Sequence, residues 1–349
     1  TNLNGQTITF SGSGAKQLRL ESNGVLATGG SSLAGFNEFH NGTETGSLSG
    51  TIRLNGSGAE TLPAGTFNNI CLETSGAKTL TTGTTINGFF RIKDAATVAG
   101  VAPTYPDGGR LEYEKTGDVT ASDIEWPASG QPTRLTLNLT GGTLTLPGNR
   151  TLANELTITS GDINTDGYVL SLGTSTSQTG TFSAAAGTKI IGTFRRWIAN
   201  STGSSSFPMG TSTTAQPATI NFTSAPTGGT LTTDFVPLAP SLNGLPVSDD
   251  AYVIDRVAGN GYWSVVANDG LSGGTYTASF TANNFTGIND ITNLRLIKRS
   301  TSSDPWTVVG THVAATGTTS SVTFSRSGLT SFSEFGLGGV WLVSLLHLY

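Results

Sequence analysis

Gly58-Ala59-Glu60-Thr61-Leu62-Pro63-Ala64-Gly65-Thr66 and Gly76-Ala77-Lys78-Thr79-Leu80-Thr81-Thr82-Gly83-Thr84 are two copies of one pattern, offset by 18 residues. Ser13-Gly14-Ala15-Lys16-Gln17-Leu18 opens in the same way. Each full copy runs into an alternating stretch, Phe67 to Glu73 and then Ile86 to Lys93, and alternation with period two puts one set of side chains on each face of a strand. Further on, Gly142-Thr143-Leu144-Thr145-Leu146-Pro147-Gly148 repeats the leucine-then-glycine punctuation, with Leu152, Leu156, Ile158, Ile163, Val169, Leu170 and Leu172 following at short intervals. A period of about 18 to 22 residues, with short strands and Gly or Asn at the corners, predicts the coils of a parallel β-solenoid. One coil cannot bury its own apolar face, whereas coils stacked about 4.8 Å apart share a continuous core.

The composition agrees with this reading. Of 349 residues 47 are Gly and only 12% are charged, a bias that disfavours helices and suits short strands joined by tight turns. Recurring Val, Ile, Thr, Phe and Leu argue for a folded chain over a disordered one. The net charge is −5 and the 18 Lys and Arg form no basic run, so a nucleic-acid partner is not expected. No apolar stretch has the length of a membrane-spanning helix. The one cysteine, Cys71, sits in the alternating run Asn69-Ile70-Cys71-Leu72 and reads as a small buried residue. The chain begins at Thr1 without a charged-then-apolar leader, and any export leader is expected to have been removed.

Residues 1–195 are therefore expected to form the solenoid. The segment 104–132, with Tyr105, Pro106, Glu112, Tyr113, Glu114 and Trp126, breaks the repeat and reads as an irregular insertion. Beyond the polar stretch Asn200 to Ser206 come longer strands: Ala218 to Thr223, Gly229 to Val236, Tyr252 to Val257, Gly261 to Val266, Thr275 to Thr281, Leu294 to Lys298, Trp306 to Ala314 and Ser321 to Ser325. Strands at such spacing, separated by Asn268-Asp269-Gly270, Gly273-Gly274 and Asn283-Asn284, predict an antiparallel β-sandwich over 196–349, ending on an apolar strand.

Several short motifs of this second half form a recognisable set: Phe207-Pro208-Met209-Gly210, Pro217-Ala218-Thr219-Ile220-Asn221-Phe222, Gly261-Tyr262-Trp263-Ser264-Val265, Gly270-Leu271-Ser272-Gly273-Gly274-Thr275-Tyr276 and Leu329-Thr330-Ser331-Phe332-Ser333-Glu334-Phe335. Over roughly residues 185 to 339 the chain resembles a module of large repetitive secreted surface proteins of Bacteroidota. The resemblance implies β-helical repeats followed by a β-sandwich, a type IX-like secretion route and an extracellular or cell-surface location. It implies no catalytic residues.

The residues themselves offer little chemistry. His40, His312 and His347 lie far apart with no carboxylate or cysteine at ligand spacing, so no zinc site and no cofactor are expected. Asp249-Asp250 and Asp255 are the candidates for calcium. A polysaccharide-cleaving β-helix would cluster acids with Lys or Arg on neighbouring coils, whereas Glu38, Glu44, Glu60, Glu73, Asp94, Asp107, Glu112, Glu114, Asp118 and Asp123 are scattered. Trp126, Trp197, Trp263, Trp306 and Trp341 are spread out, and core packing is the expected fate of Trp263 and Trp306.

The ends are more telling. Leu3, Ile8 and Phe10 alternate with polar residues, and the chain closes on Val340, Trp341, Leu342, Val343, Ser344, Leu345, Leu346, His347, Leu348 and Tyr349. An exposed apolar edge is an aggregation hazard, so these segments are expected to be covered, by the chain itself or by a neighbouring copy through strand addition. The expectation is a non-enzymatic extracellular structural and adhesive protein whose copies join head to tail into a surface filament. The alternative is a monomeric surface protein that binds or cleaves glycans.

Overall fold

The computed structural model describes residues 17–20, 25–27, 38–41, 50–106 and 108–339. Their regular structure is all β-strand, with no helix among the described residues. The chain divides into two compact units, residues 1–174 with 180–186 and residues 175–179 with 187–349.

The first unit is a parallel β-solenoid of about eight turns. Its principal sheet stacks Val25–Ala27, Thr51–Leu54, Asn69–Leu72, Phe89–Lys93, Arg110–Thr116, Arg134–Thr145, Glu155–Leu172 and Thr181–Ala184, each paired in parallel with the next. Leu26, Ile52, Ile70, Phe90, Leu111, Leu135 and Leu156 lie over one another in that register, and each is at most 2% exposed. Leu54, Leu72, Ile92, Tyr113, Leu137 and Ile158 form a second inward column. Buried aliphatic side chains of this kind contribute about 1.5–3 kcal/mol each, so the columns are the main source of stability.

The 18-residue repeat becomes a second parallel sheet. Glu60–Leu62 pairs with Ala77–Leu80 so that Glu60 faces Lys78, Thr61 faces Thr79 and Leu62 faces Leu80. The glycine of the second copy has a steric reason: Gly76 has φ 85°, and a Cβ there would sit 2.5 Å from the carbonyl oxygen of Gly58 one coil away. Thr97–Gly100 continues this sheet against Ala77–Leu80 and ends it. A third sheet stacks Gln17–Leu20, Glu38–Asn41, Gly65–Phe67 and Thr84–Ile86.

The irregular insertion expected over 104–132 is mostly a regular rung. Arg110–Thr116 pairs residue for residue with Phe89–Lys93 on one side and with the strand beginning at Arg134 on the other. Leu111 and Tyr113 point inward, while Arg110, Glu112 and Glu114 occupy outward positions. No copy of the Gly-Ala-x-Thr-Leu motif leads into this rung, which hid the alternation. Within that segment the arc 121–133 departs from the repeat, so that Arg134 stands 24 positions after its partner Arg110, and the arc carries the buried Trp126.

The second unit is antiparallel. One sheet contains Ile190–Ile198, Gly229–Val236, Tyr262–Asn268, Glu334–Gly339 and Arg295–Arg299. Phe194 to Ile198 pair with Gly229 to Thr233 inside the second unit. A five-stranded sheet orders Gly203–Phe207, Ala218–Phe222, Tyr276–Asn283, Ser321–Leu329 and Thr311–Thr318. The ring of Trp263, on the first sheet, lies 5.1 Å from Phe280 and 5.5 Å from Phe324, on the second. Trp306 starts no strand, contrary to expectation. Its indole is buried with Ile254, Val257 and Ile297, its Nε1 donates to the Ser241 carbonyl at 2.7 Å, and the strand begins only at Thr311.

Inside the solenoid the fully buried Lys78 Nζ donates to Glu60 at 2.7 Å and to the carbonyls of Gly56 and Gly58. Removing one partner leaves an uncompensated buried charge, which costs about 3–5 kcal/mol, whereas an apolar pair of similar volume is close to neutral. In urea unfolding, Lys78→Met and Glu60→Leu alone should each lower stability by about that amount, and the double substitution should recover most of the loss.

Candidate functional site

In a parallel solenoid the outward face of the principal sheet is the place where side chains from successive coils converge. Here Arg53, Cys71, Arg91 and Glu112 stack in one column, Phe89, Arg110, Arg134 and Glu155 in a second, and Lys93 faces Glu114 in a third. Arg91 Nε meets Glu112 at 2.6 Å, Lys93 Nζ meets Glu114 at 3.1 Å and Arg110 Nη2 meets Glu155 at 3.0 Å. Arg134 stands 3.8 Å from Glu155, and Arg53 is bonded to Glu73. The bond to Glu73 holds the Arg53 guanidinium above its ordinary pKa, and the bond to Glu114 does the same for Lys93. A hydrolytic pair needs one carboxyl group to give a proton and another to take one or attack. These four glutamates, Glu73, Glu112, Glu114 and Glu155, instead neutralise cations on their own or neighbouring rungs.

Cys71 lies in this column yet is only 3% exposed. Its Sγ donates to Glu73 at 3.2 Å. Burial first, and then the carboxylate of Glu73, push the thiol pKa up to about 12. A nucleophilic cysteine needs the thiolate, which this environment suppresses.

A different chemistry gathers where the second sheet ends. Thr97–Gly100 pairs only with Ala77–Leu80, and the next strand along the coils, Val119–Thr120, pairs only with the Arg134–Thr145 strand. The two strands follow paired rungs of the principal sheet but are not bonded to each other, and a cavity of about 310 Å³ lies between them. Thr97, Val98, Asp118, Val119 and Thr120 line it together with Ile92, Ala96, Tyr113, Lys115, Ser122 and Glu125. Glu125 is 5% exposed and accepts from the Ser122 backbone N–H at 2.8 Å, the Ser122 hydroxyl, and the Tyr113 hydroxyl at 3.2 Å. The Tyr105 hydroxyl donates to the Glu125 carbonyl at 2.7 Å. Burial, with the Glu125 charge adding to it, drives the Tyr105 and Tyr113 hydroxyls well above their usual pKa, so both stay protonated donors. Lys115 Nζ donates to the Ala96 carbonyl at 2.6 Å, and burial lowers its pKa. The buried Trp126 Nε1, next in sequence to Glu125, has no hydrogen-bond partner among the described residues.

Sequence reading singled out Tyr113, Asp118 and Trp126 but passed over Lys115, Ser122 and Glu125. A local signal was present: Ser122 and Glu125 have the Ser-x-x-Glu spacing in which a hydroxyl and a carboxylate close on each other's backbone, and here the carboxylate does bond the Ser122 N–H. Of the other acids, Glu60 is paired with Lys78 and Asp123 with Arg150, Asp94 accepts from the Thr74 N–H at 3.3 Å, and Asp107 and Glu44 lie outside the described residues.

In the second unit, the carboxylate of Asp249 receives Arg326 Nη1 at 3.0 Å and Nη2 at 2.5 Å, with Arg295 at 3.4 Å. That carboxylate serves two guanidinium groups, while Asp250 and Asp255 are exposed. Among the described residues no three His, Cys, Asp or Glu side chains come together as metal ligands. His312 stands opposite Arg326, and its pKa is lowered by burial and by Arg295. Trp126, Trp263 and Trp306 are buried and Trp197 is half-buried. The expected assembly residues Leu3, Ile8, Phe10, Val340, Trp341, Leu342, Val343, Leu345, Leu346, Leu348 and Tyr349 all lie outside the described residues, as do His347 and the remaining end residues.

No protein-family model, no curated protein and no solved structure matches the chain.

The Cys71 environment has a measurable consequence. A folded-state pKa raised above the unfolded value favours folding fully below about pH 9, and the benefit is lost as pH rises towards 12. Native protein at pH 8 should resist a thiol-specific maleimide for hours and react at once in denaturant, and the wild-type advantage over Cys71→Ser in thermal unfolding should shrink between pH 9 and 12.

Proposed function

We propose that the chain is a non-enzymatic structural and adhesive part of a secreted surface protein. The observation that carries this reading is the outward face of the solenoid, where the glutamates that could serve acid–base chemistry bind arginine and lysine across the rungs. Such pairs contribute at most about 1 kcal/mol each at an exposed surface, but they hold the stack in register and keep a long polar face soluble. In this reading the solenoid is a spacer and the second unit is a two-sheet β-sandwich. The contact of Trp263, on one sheet, with Phe280 and Phe324, on the other, supports that part. The alternating stretch Leu3 to Phe10 and the apolar run Val340 to Tyr349 support joining of copies by strand addition, and the Bacteroidota resemblance supports the extracellular setting.

Electron microscopy and light scattering of the full chain, beside a chain truncated after Gly339, test the proposal. Filaments from the full chain and monomers from the truncated one are expected. A compact species near 35.8 kDa from the full chain would contradict the filament, and turnover of a polysaccharide by the purified chain would contradict the non-enzymatic reading.

A further inference from the structure

The adhesive half of the proposed function leaves open what the protein holds on to. We infer that the cavity between Thr97–Gly100 and Val119–Thr120 binds one neutral sugar unit of a glycan, gripped between Lys115, Glu125 and the hydroxyls of the rim. This inference rests on the adhesive reading and adds a ligand class to it.

Size is the first argument. At about 310 Å³ the cavity is at the small end of ligand sites, which run from about 300 to 1,000 Å³, and so suits a single ring better than a chain. Chemistry is the second. Each hydroxyl of a sugar both donates and accepts, and the lining offers an ammonium donor in Lys115, carboxylate acceptors in Asp118 and Glu125, and three groups that do either in Thr97, Thr120 and Ser122. Ile92, Val98 and Val119 supply apolar surface for the C–H face of a ring.

Preorganisation is the third. Three hydrogen bonds fix the Glu125 carboxylate and one anchors Lys115, so binding need not order those side chains, which lowers its entropic cost. Charge is the fourth. One lysine against two carboxylates leaves the lining net negative, which disfavours uronic acids and sulfated sugars. The two unbonded strand edges also raise a rival occupant, a peptide added as a strand. Val119–Thr120 is only two residues long, too short an edge to hold a strand by its backbone.

Saturation-transfer NMR on the full chain tests the inference. The probes are glucose, galactose, mannose and N-acetylglucosamine, with glucuronic acid as the anionic control and an alternating Thr-Val tetrapeptide as the rival. At least one neutral sugar should show transfer, and glucuronic acid should show less. Thr120→Trp, which fills the mouth from an exposed position, should abolish transfer, and Asp118→Ala should weaken binding about tenfold. Circular dichroism reports whether each variant is folded. If Thr120→Trp is not, Val98→Trp closes the cavity from the opposite rim.

Absence of transfer from every neutral sugar, transfer that survives the closing substitution, or binding of the peptide alone would overturn the site. Retention of the chain on a polysaccharide-coated surface separates this outcome from failure of the adhesive reading. If the folded tryptophan variant adheres as well as the wild type, adhesion stands and the site falls. If the wild type is not retained, adhesion falls, and sugar transfer then judges the site alone.

Discussion

Parallel pairing of successive rungs in fixed register is the constraint on which the rest of the solenoid depends. A coil of about 20 residues has too little interior to bury its own apolar side chains, so each rung is stable only between two others. Register then dictates content. Inward positions become columns of leucine and isoleucine, because each side chain needs an apolar neighbour above and below, with Tyr113 the one polar-tipped member of the main columns. The same rule operates on charge. Glu60 is tolerable in the wall because Lys78 stands one rung away, and outward arginines find glutamates on neighbouring rungs, Arg91 with Glu112 and Arg110 with Glu155.

Where that pairing lapses, the character of the molecule changes. Between Thr97–Gly100 and Val119–Thr120 the wall lacks its ladder, the following coil is longer, and Lys115 stands in the register position that Leu139 fills on the next rung. Their hydrogen bonds are local, from Ser122 and Tyr113 to Glu125, so the group is held by the arc 121–133 and by one rung. The recess is thus preorganised by the chain's own side chains.

The repeat was legible because its residues meet across the coils: a Cβ on Gly76 would strike the Gly58 carbonyl, and the Glu60 and Lys78 of the two copies prove to be partners. The rung Arg110–Thr116 was not legible, because no copy of the Gly-Ala-x-Thr-Leu motif leads into it even though Leu111 and Tyr113 keep the period. Glu125 escaped notice since nothing in a linear sequence tells that a carboxylate three residues from a serine will be buried beneath two tyrosines. In the second unit the central strand Gly229–Val236 was read to the residue, whereas Trp306 was read as strand because an apolar residue beside a strand has no period of its own.

Amide hydrogen exchange, resolved by peptide mass spectrometry on the full chain, tests the stacked-rung account most directly. Amides of Asn69–Leu72, Phe89–Lys93, Arg110–Thr116 and the strand from Arg134 should be the slowest of the first unit and should open together, while those of Val98 and Thr120, on the unpaired edges, should exchange orders of magnitude faster. Uniformly fast exchange across those rungs, or equal protection at the two edges, would contradict it.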